Sequence, residues 1–210
     1  MSEDRSGRRR RANGEQSRRK ILDATAEIAG ERGYDGTSIA QVSARCGLPA
    51  SSIYWHFKDK DELIAAVIDR SFHRWLEAFT SPGDQTGKPQ ERITELAVRI
   101  GKALLDTPDF LRLGLMLALE RRPEEPSARR MFLRVREIAH RRLVEAIAEF
   151  APELAPDSVE LLAVYAMAAA DGFFVAREIG GDSVDVIQLF ELHARVLVDA
   201  VSHLIARTDS

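Results

Sequence analysis

The segment from Thr37 to Leu63 constrains the fold of this chain more than any other stretch of it. Ser38 and, three residues later, Gln41 form a capping box, which predicts that a helix starts here. Gly47 suits the end of that helix, and Pro49 suits the first turn of the next because its missing N–H needs no partner there. Two short helices around a tight turn indicate a helix-turn-helix, whose second helix presents its first residues to DNA bases.

The residue types along the second helix support this interpretation. Ala50, Ser51 and Ser52 at its start are small enough to enter a groove of the duplex. Ile53 and Phe57, four residues apart, are predicted to face the core. A helical corner with a solvated polar face is the alternative, but the order of cap, glycine turn, small residues and aromatic end argues against it.

Polar side chains at the end of this helix are predicted to bind phosphate. Tyr54, His56 and Lys60 can each reach phosphate oxygens, contacts that fix the register of a protein on DNA without reading sequence. Asp59 and Glu62 form a second capping pair, so Lys60 is expected in the first turn of another helix.

Several stretches between residues 15 and 63 share the pattern of one known family, namely 17–36, 37–40, 47–48, 52–57 and 58–63. They resemble the N-terminal DNA-binding domain of the tetracycline-repressor (TetR) family of bacterial transcription regulators. The resemblance implies an all-α homodimer that binds a palindromic operator, usually as a repressor, and is released when a small molecule enters its C-terminal domain. The residues assigned to DNA binding are Thr37, Ser38, Ala50, Ser51, Ser52, Tyr54, His56 and Lys60.

Other functions are weighed against this one. A TetR-like factor without an effector, constitutive or controlled by a protein partner, is the alternative. An enzyme is disfavoured because the sequence holds no nucleophile elbow, phosphate-binding glycine loop or paired-carboxylate motif. The histidines 73, 140, 193 and 203 lack ligand-like spacing and Cys46 is the only cysteine, so neither a metal site nor a cofactor is predicted.

Charge is distributed unevenly along the chain. Residues 1–60 hold 12 lysines and arginines against 8 acidic residues, whereas the other 150 residues hold 18 against 25. A basic N-terminal segment on an acidic body indicates polyanion binding at one end. Residues 1–14, with the run Arg8 to Arg11, are interpreted as a flexible basic arm that either contacts DNA or serves as a solubilising tail.

The same composition predicts a cytoplasmic protein, associated with the nucleoid when it is bound to DNA. A single cysteine gives no support for an oxidising compartment, and no apolar segment follows the charged N-terminus as in a secretory signal. Charges such as Asp171 interrupt the apolar stretches before the ~20 positions of a membrane helix. No membrane partner is therefore expected.

Residues 64–210 are interpreted as a helical ligand-binding and dimerisation domain. Helical spacing and proline or glycine breaks predict a linking helix to about residue 79 and further helices, the last three at 127–150, 156–179 and from 186 onward. No alternating β pattern competes. The whole chain is thus predicted to be all-α, with a three-helix DNA-binding domain over residues 15–63.

The last two helices are predicted to form the dimer interface. Residues 156–179 are apolar or small almost all round, which is more apolar surface than a helix on a protein surface needs. Two such helices from each subunit would pack as a four-helix bundle; burial within one subunit is the weaker alternative, because a two-fold partner also explains palindromic DNA. The interface candidates are Leu161, Tyr165, Ala168, Gly172, Phe190, Leu197 and Val201.

Aromatic and sulfur-containing side chains indicate an adaptable pocket for a small apolar ligand that the sequence does not identify. Each of them alone also fits an ordinary core position. Asp171 either pairs with a cationic ligand or makes a structural hydrogen bond at the dimer interface, since a buried carboxylate needs a partner. The ligand candidates are Trp75, Phe79, Phe110, Met116, Phe132, Met167, Asp171 and Phe174.

Overall fold

The computed structural model describes residues 3–80, 88–120 and 126–208 of the chain. Within these ranges the regular elements are helices and none is a strand, which confirms the predicted all-α class. The helices are α1 (Glu3–Arg32), α2 (Ile39–Cys46), α3 (Ala50–His56), α4 (Lys60–Thr80), α5 (Pro89–Asp106), α6 (Asp109–Leu119), α7 (Ser127–Phe150), α8 (Pro156–Gly180) and α9 (Val186–Thr208), with a 3₁₀ turn at Gly181–Ser183.

The chain folds into two compact units. Unit 1 comprises Met1–Ser71 and Asp109–Leu133, and unit 2 comprises Phe72–Pro108 and Arg134–Ser210. Unit 1 therefore holds α1, α2, α3, α6 and the first turns of α4 and α7. The predicted domain boundaries after residues 14 and 63 were placed by sequence pattern. The two units are defined by contacts between residues, so their limits differ from those boundaries.

The core of unit 1 takes one apolar face from each of its helices. Val42 of α2 and Ile53 of α3 are fully buried, as their spacing predicts. Gly114 of α6 allows a close contact with α7, because a Cβ at this position would lie 1.9 Å from Cδ2 of Phe132. The side chains of unit 1 that are most deeply buried also include Ile21, Leu22, Leu63, Ile64, Val67, Ile68, Leu111, Leu113 and Leu117.

Helix α1 begins at Glu3, so residues 3–14, predicted as a flexible arm, are helical in the structure. This stretch contains no proline, and arginine and glutamate favour helix, which outweighs its two glycines. The side chains of Arg8 to Arg11 lie outside the described residues. Their contact with DNA therefore stays a prediction.

Unit 2 has two packed regions that matter for the predicted sites. In one, Gly101 of α5 lies against Phe190 of α9, where a Cβ would come within 2.6 Å of the ring. In the other, Leu162 of α8 and Val201 of α9 form a core with Leu154, and Leu197 packs against it.

Helix α8 is long and apolar enough to cross a membrane, judged by length and composition alone. Core helices of soluble proteins also have this property. Asp171 nevertheless interrupts the apolar run of this helix, as expected from the sequence, so the uninterrupted run stays short of ~20 positions. In the structure α8 carries an ion pair, Arg136 to Asp171, with N–O distances of 2.8 and 2.6 Å.

Candidate functional site

The helix-turn-helix is fixed by local hydrogen bonds. Ser38 caps α2 as predicted: its Oγ accepts from the Gln41 N–H at 3.3 Å. Gly47 ends the helix in the left-handed conformation, with φ at +68°, and its N–H donates to the carbonyl of Ser43. The Ser43 hydroxyl then donates to the carbonyl of Leu48 at 2.7 Å, which closes the turn before α3.

Helix α3 buries one face and exposes the other. Ile53 is fully buried and Phe57, just past the helix, is nearly so. Ala50 and Ser51 at the start of the helix are exposed, and Ser52 is half-buried. The tip of α3 is therefore narrow and open to solvent, as entry into a major groove requires.

Two large aromatic side chains project from the end of α3. Tyr54 is 56% exposed and Trp55 is 76% exposed, although most tryptophans are largely buried. The Trp55 ring meets His56 edge-on, with 4.5 Å between centroids, and lies beside Gly14 of α1. Trp55 was assigned no role from the sequence, although its large apolar ring lies directly between two predicted phosphate-binding residues, Tyr54 and His56.

His56 is half-buried beneath this aromatic surface. Burial lowers the pKa of His56, and the nearby charge of Arg18 lowers it further. Arg18 itself lies over the ring of Phe57, 5.4 Å from its centroid. Both effects favour the neutral imidazole, which has one donor and one acceptor nitrogen.

Thr37 and Lys60 differ from the other predicted DNA contacts. The Thr37 side chain is buried, and its hydroxyl donates to the carbonyl of Gly33 at 2.8 Å. We therefore assign the Thr37 side chain to the turn that leads into α2, and a contact of this residue with DNA stays a prediction. The ammonium group of Lys60 donates to the carbonyl of Tyr34 at 3.1 Å and lies 4.5 Å from the centroid of the Tyr34 ring.

The carboxylate of Asp61 lies next to this lysine and joins three parts of unit 1. Its Oδ1 accepts from the Tyr34 hydroxyl at 3.0 Å and from the Ala128 N–H at 3.1 Å, and its Oδ2 accepts from the Ser127 N–H at 2.5 Å. Burial alone would raise the pKa of Asp61, but the hydrogen bonds from Ala128, Ser127 and Tyr34 outweigh it and hold the pKa below its ordinary value.

The predicted ligand residues are divided between the two units, and their grouping into one pocket stays a prediction. Unit 1 holds Phe110, Met116 and Phe132, and unit 2 holds Trp75, Met167, Asp171 and Phe174. The side chain of Phe79 lies outside the described residues. A shallow groove of about 420 Å³ in unit 1 contains none of the predicted residues; it is lined by Ala26, Glu27, Gly30, Glu31, Asp109 and Arg112.

Asp171 is already paired within the protein. Both of its oxygens accept from the guanidinium of Arg136, at 2.8 and 2.6 Å. Burial raises the pKa of Asp171, and Arg136 partly offsets this effect. A cationic ligand at this carboxylate is therefore not supported, because Arg136 occupies that position, and a structural role fits instead.

An apolar stripe runs along the exposed side of α8. Its members are separated alternately by four and three residues, the spacing of a seam between two helices. We call this set the α8 stripe: Leu161, Tyr165, Ala168, Gly172, Val175 and Ile179. Leu161 and Ile179 are 63% and 82% exposed, and a Cβ at Gly172 would meet nothing within 4 Å. The ring of Tyr165 lies 5.3 Å from that of His193, whereas Leu161, Val175 and Ile179 of the stripe are exposed.

Three other predicted interface residues do not belong to this stripe. Phe190 is buried against Gly101, Val201 is buried in the core with Leu162, and Leu197 packs on the same core. Leu197 is only partly buried there, and the role of these three residues in a dimer interface stays a prediction. Apolar spacing marked them as buried but did not identify the helix that covers them.

Comparison with known proteins agrees with the geometry of unit 1. Residues 21–67 match the family model for bacterial regulatory proteins of the tetR family. A transcriptional repressor of Mycobacterium tuberculosis, Rv1353c, is 29% identical over 111 residues, which cover 53% of this chain and 42% of that protein. The regulator TtgR of Pseudomonas putida is 32% identical over 62 residues, 30% of each protein. The chain thus spans less than half the length of these relatives.

Solved structures share the fold over most of the chain. A TetR-like regulator from Rhodococcus sp. RHA1 is similar with a TM-score of 0.68 and 21% identity, covering 89% of this chain and 96% of that one. FadR of Bacillus subtilis, solved with stearoyl-CoA, has a TM-score of 0.70 and 16% identity, covering 86% and 97%. The family model falls on the helix-turn-helix, so residues 21–67 match the DNA-binding domain of the tetR family of bacterial regulatory proteins, and the rest of the chain shares the fold of these solved structures.

Proposed function

We propose that the chain is a cytoplasmic transcriptional regulator that binds a palindromic operator as a homodimer and acts as a repressor. The observation that carries this proposal is the tip of α3. Ala50 and Ser51 are exposed there, so small side chains can enter a groove of the DNA duplex. Ile53 is fully buried and anchors the helix in the core. Rv1353c, similar over about half of this chain, is itself described as a repressor.

The homodimer is supported by the α8 stripe. A second copy of α8 covers the exposed apolar side chains, and the seam spacing suits packing of one helix against another. Gly172 adds to this argument, because glycine costs about 0.5–1 kcal/mol in a helix relative to alanine and here leaves space that its own unit does not fill. The small residues at Ala168 and Gly172 permit close approach of a partner helix.

We extend the proposal to regulation by a small molecule, because the spacing that a palindrome demands gives a ligand a means to release the dimer. Two α3 helices in one dimer must lie about 34–36 Å apart, or a multiple of that, to enter successive major grooves. A ligand that binds more tightly to a dimer with another separation shifts the population away from DNA. A tenfold loss of operator affinity needs only ~1.4 kcal/mol of differential binding.

The DNA-binding part of the proposal is tested by selection from random duplexes followed by mobility shift. We expect the dimer to enrich a palindrome and to bind it saturably. Ser51→Glu places a carboxylate at the α3 tip and should abolish this binding. Gln90→Glu adds the same charge at an exposed position of α5 and should not abolish it. Failure to enrich any palindrome, or equal binding by both variants, would overturn the proposal.

The effector is tested by operator release and thermal shift across a library of lipophilic compounds. Long-chain acyl thioesters belong in that library, since FadR of Bacillus subtilis was solved with stearoyl-CoA. Release by one compound class identifies the effector. If the protein stays on its operator throughout, the alternative stands: a constitutive factor or one controlled by a protein partner.

A further inference from the structure

We propose that Asp61 is a positioning residue through which the start of α7 holds the helix-turn-helix and so sets operator affinity. The inference rests on the proposed DNA-binding function. It extends that function to residues that lie at positions 127 and 128, far along the chain from the reading helix.

The first step is the contact between Asp61 and α7. The N–H groups of the first turn of a helix have no partner within the helix, and a negative charge near them is favourable. Asp61 accepts from the first two of these groups, Ser127 and Ala128, at 2.5 and 3.1 Å. A carboxylate on α4 thereby caps a helix that starts 66 residues later in the sequence.

The second step joins this cap to the turn between α1 and α2. The Tyr34 hydroxyl donates to the same Asp61 carboxylate at 3.0 Å. Lys60 binds the Tyr34 carbonyl and lies over its ring. Tyr34 also accepts from the N–H of Thr37, the residue before the N-cap of α2. The start of α7 is therefore connected by consecutive hydrogen bonds to the start of α2.

The third step joins the cap to α3. Residues 57–59 alone separate α3 from α4, and two side-chain hydrogen bonds, besides the backbone bond from Leu63 to Asp59, hold them to the first turn of α4. The Glu62 carboxylate accepts from the Lys58 N–H at 2.6 Å, and the Glu62 N–H donates to Asp59 Oδ1 at 2.8 Å. A displacement of Asp61 thus moves both helices of the helix-turn-helix, while Asp61 itself contacts α7 and not the exposed tip.

The test uses the full-length dimer and its selected operator. Asp61→Asn replaces one acceptor oxygen with a donor that faces an N–H, and Ser127→Pro removes that N–H at a helix position where proline is well tolerated. We expect each to bind the operator roughly tenfold more weakly at an unchanged salt slope, because no phosphate contact is lost. Glu95→Gln, an equivalent change on exposed α5, should bind like the wild type.

A double-mutant cycle separates positioning from general loss of stability. Tyr34→Phe removes one donor to Asp61 and keeps the ring under Lys60, so it should weaken binding and should not add fully to Asp61→Asn. Hydrogen exchange in residues 33–38 should speed up in both variants. Wild-type affinity in folded Asp61→Asn and Ser127→Pro, or full additivity with unchanged exchange, would overturn the proposal.

Failure of the proposed function gives a different result. A wild-type chain that binds no palindrome contradicts DNA recognition itself. In that case amide hydrogen exchange of residues 33–38 alone tests the connection from α7 through Asp61 to this turn. Unchanged rates in Asp61→Asn contradict the connection, and faster rates support it. If Asp61→Asn does not fold, operator affinity and hydrogen exchange of Tyr34→Phe and Ser127→Pro test the proposal instead.

Discussion

At the scale of single residues, the surroundings decide whether a side chain can act. Thr37 and Ser51 both carry hydroxyls within one motif, and both were assigned to DNA. In the structure Thr37 is buried and bonded to Gly33, whereas Ser51 faces solvent. Residue type and spacing predict the chemistry of a group, but its accessibility depends on neighbours that are distant in sequence.

Tyr54→Phe tests one exposed group at the end of α3. The substitution removes a hydroxyl that we expect to bind a phosphate and leaves the ring in place. Operator affinity should fall roughly fivefold, or about 1 kcal/mol, as for loss of one hydrogen bond. Mobility shift measures the affinity, and thermal unfolding should show no change because the side chain is 56% exposed. Unchanged affinity would remove Tyr54 from the interface.

His193 provides a test by pH. It is buried between the rings of Tyr165 and Phe173, its Nε2 has no hydrogen-bond partner among the described residues, and burial lowers its pKa. The unfolded chain therefore takes up a proton first, and stability is lost as the pH falls below about 6.5. His193→Leu should flatten this loss between about pH 7 and 5.

Denaturant unfolding across that pH range measures the effect. His203→Leu, at an exposed histidine of the same helix, is the matched control. If wild type and His193→Leu lose stability in parallel, His193 is not the group that titrates.

At the scale of elements, most helices could be predicted because their ends carry strong local signals. Proline and glycine mark the limits of α7 and α8, and both were predicted to within a residue of their observed ends. The start of α1 was not predicted, because the run of arginines, which favours helix, was interpreted as a solvated arm. Apolar periodicity also left packing partners undetermined, as Phe190 and Leu197 show.

Gly172→Ala tests α8 as the dimer element. Alanine should stabilise the helix within one chain by about 0.5–1 kcal/mol, because its Cβ meets nothing there. The same methyl group should weaken dimerisation if a partner helix approaches closely. Sedimentation equilibrium and unfolding at low protein concentration measure the two effects. Gly30→Ala, also at an exposed helical glycine, should stabilise without altering the dimer; equal dimerisation by both variants would place the interface elsewhere.

At the scale of the whole molecule, the match of residues 21–67 to a tetR-family DNA-binding domain was predictable, because the helix-turn-helix is a local pattern. The effector was not, since its pocket depends on side chains from separate helices. The proposed function depends on the two-fold arrangement of the dimer. This arrangement can be tested by changing the operator and leaving the protein unchanged.

Insertion of five base pairs between the operator half-sites should abolish specific binding. Half a helical turn carries one half-site to the opposite face of the duplex, out of reach of the second α3. Affinity should fall by about a hundredfold or more, toward that for unrelated DNA. Mobility shift measures the affinity. The control is an operator in which five base pairs between the half-sites are substituted and none is inserted. Retained affinity would show that the two reading helices act independently.

The composition of unit 1 has a consequence for how the protein is made. Its second segment, residues 109–133, follows the whole of α5, and it supplies both the amides that Asp61 caps and the Phe110 N–H that donates to Ser71. A ribosome has therefore synthesised more than half of the polypeptide before this part can close. A truncation after Ser71 leaves an apolar surface uncovered. We therefore expect that the N-terminal DNA-binding segment does not fold stably when it is fused to another protein without residues 109–133.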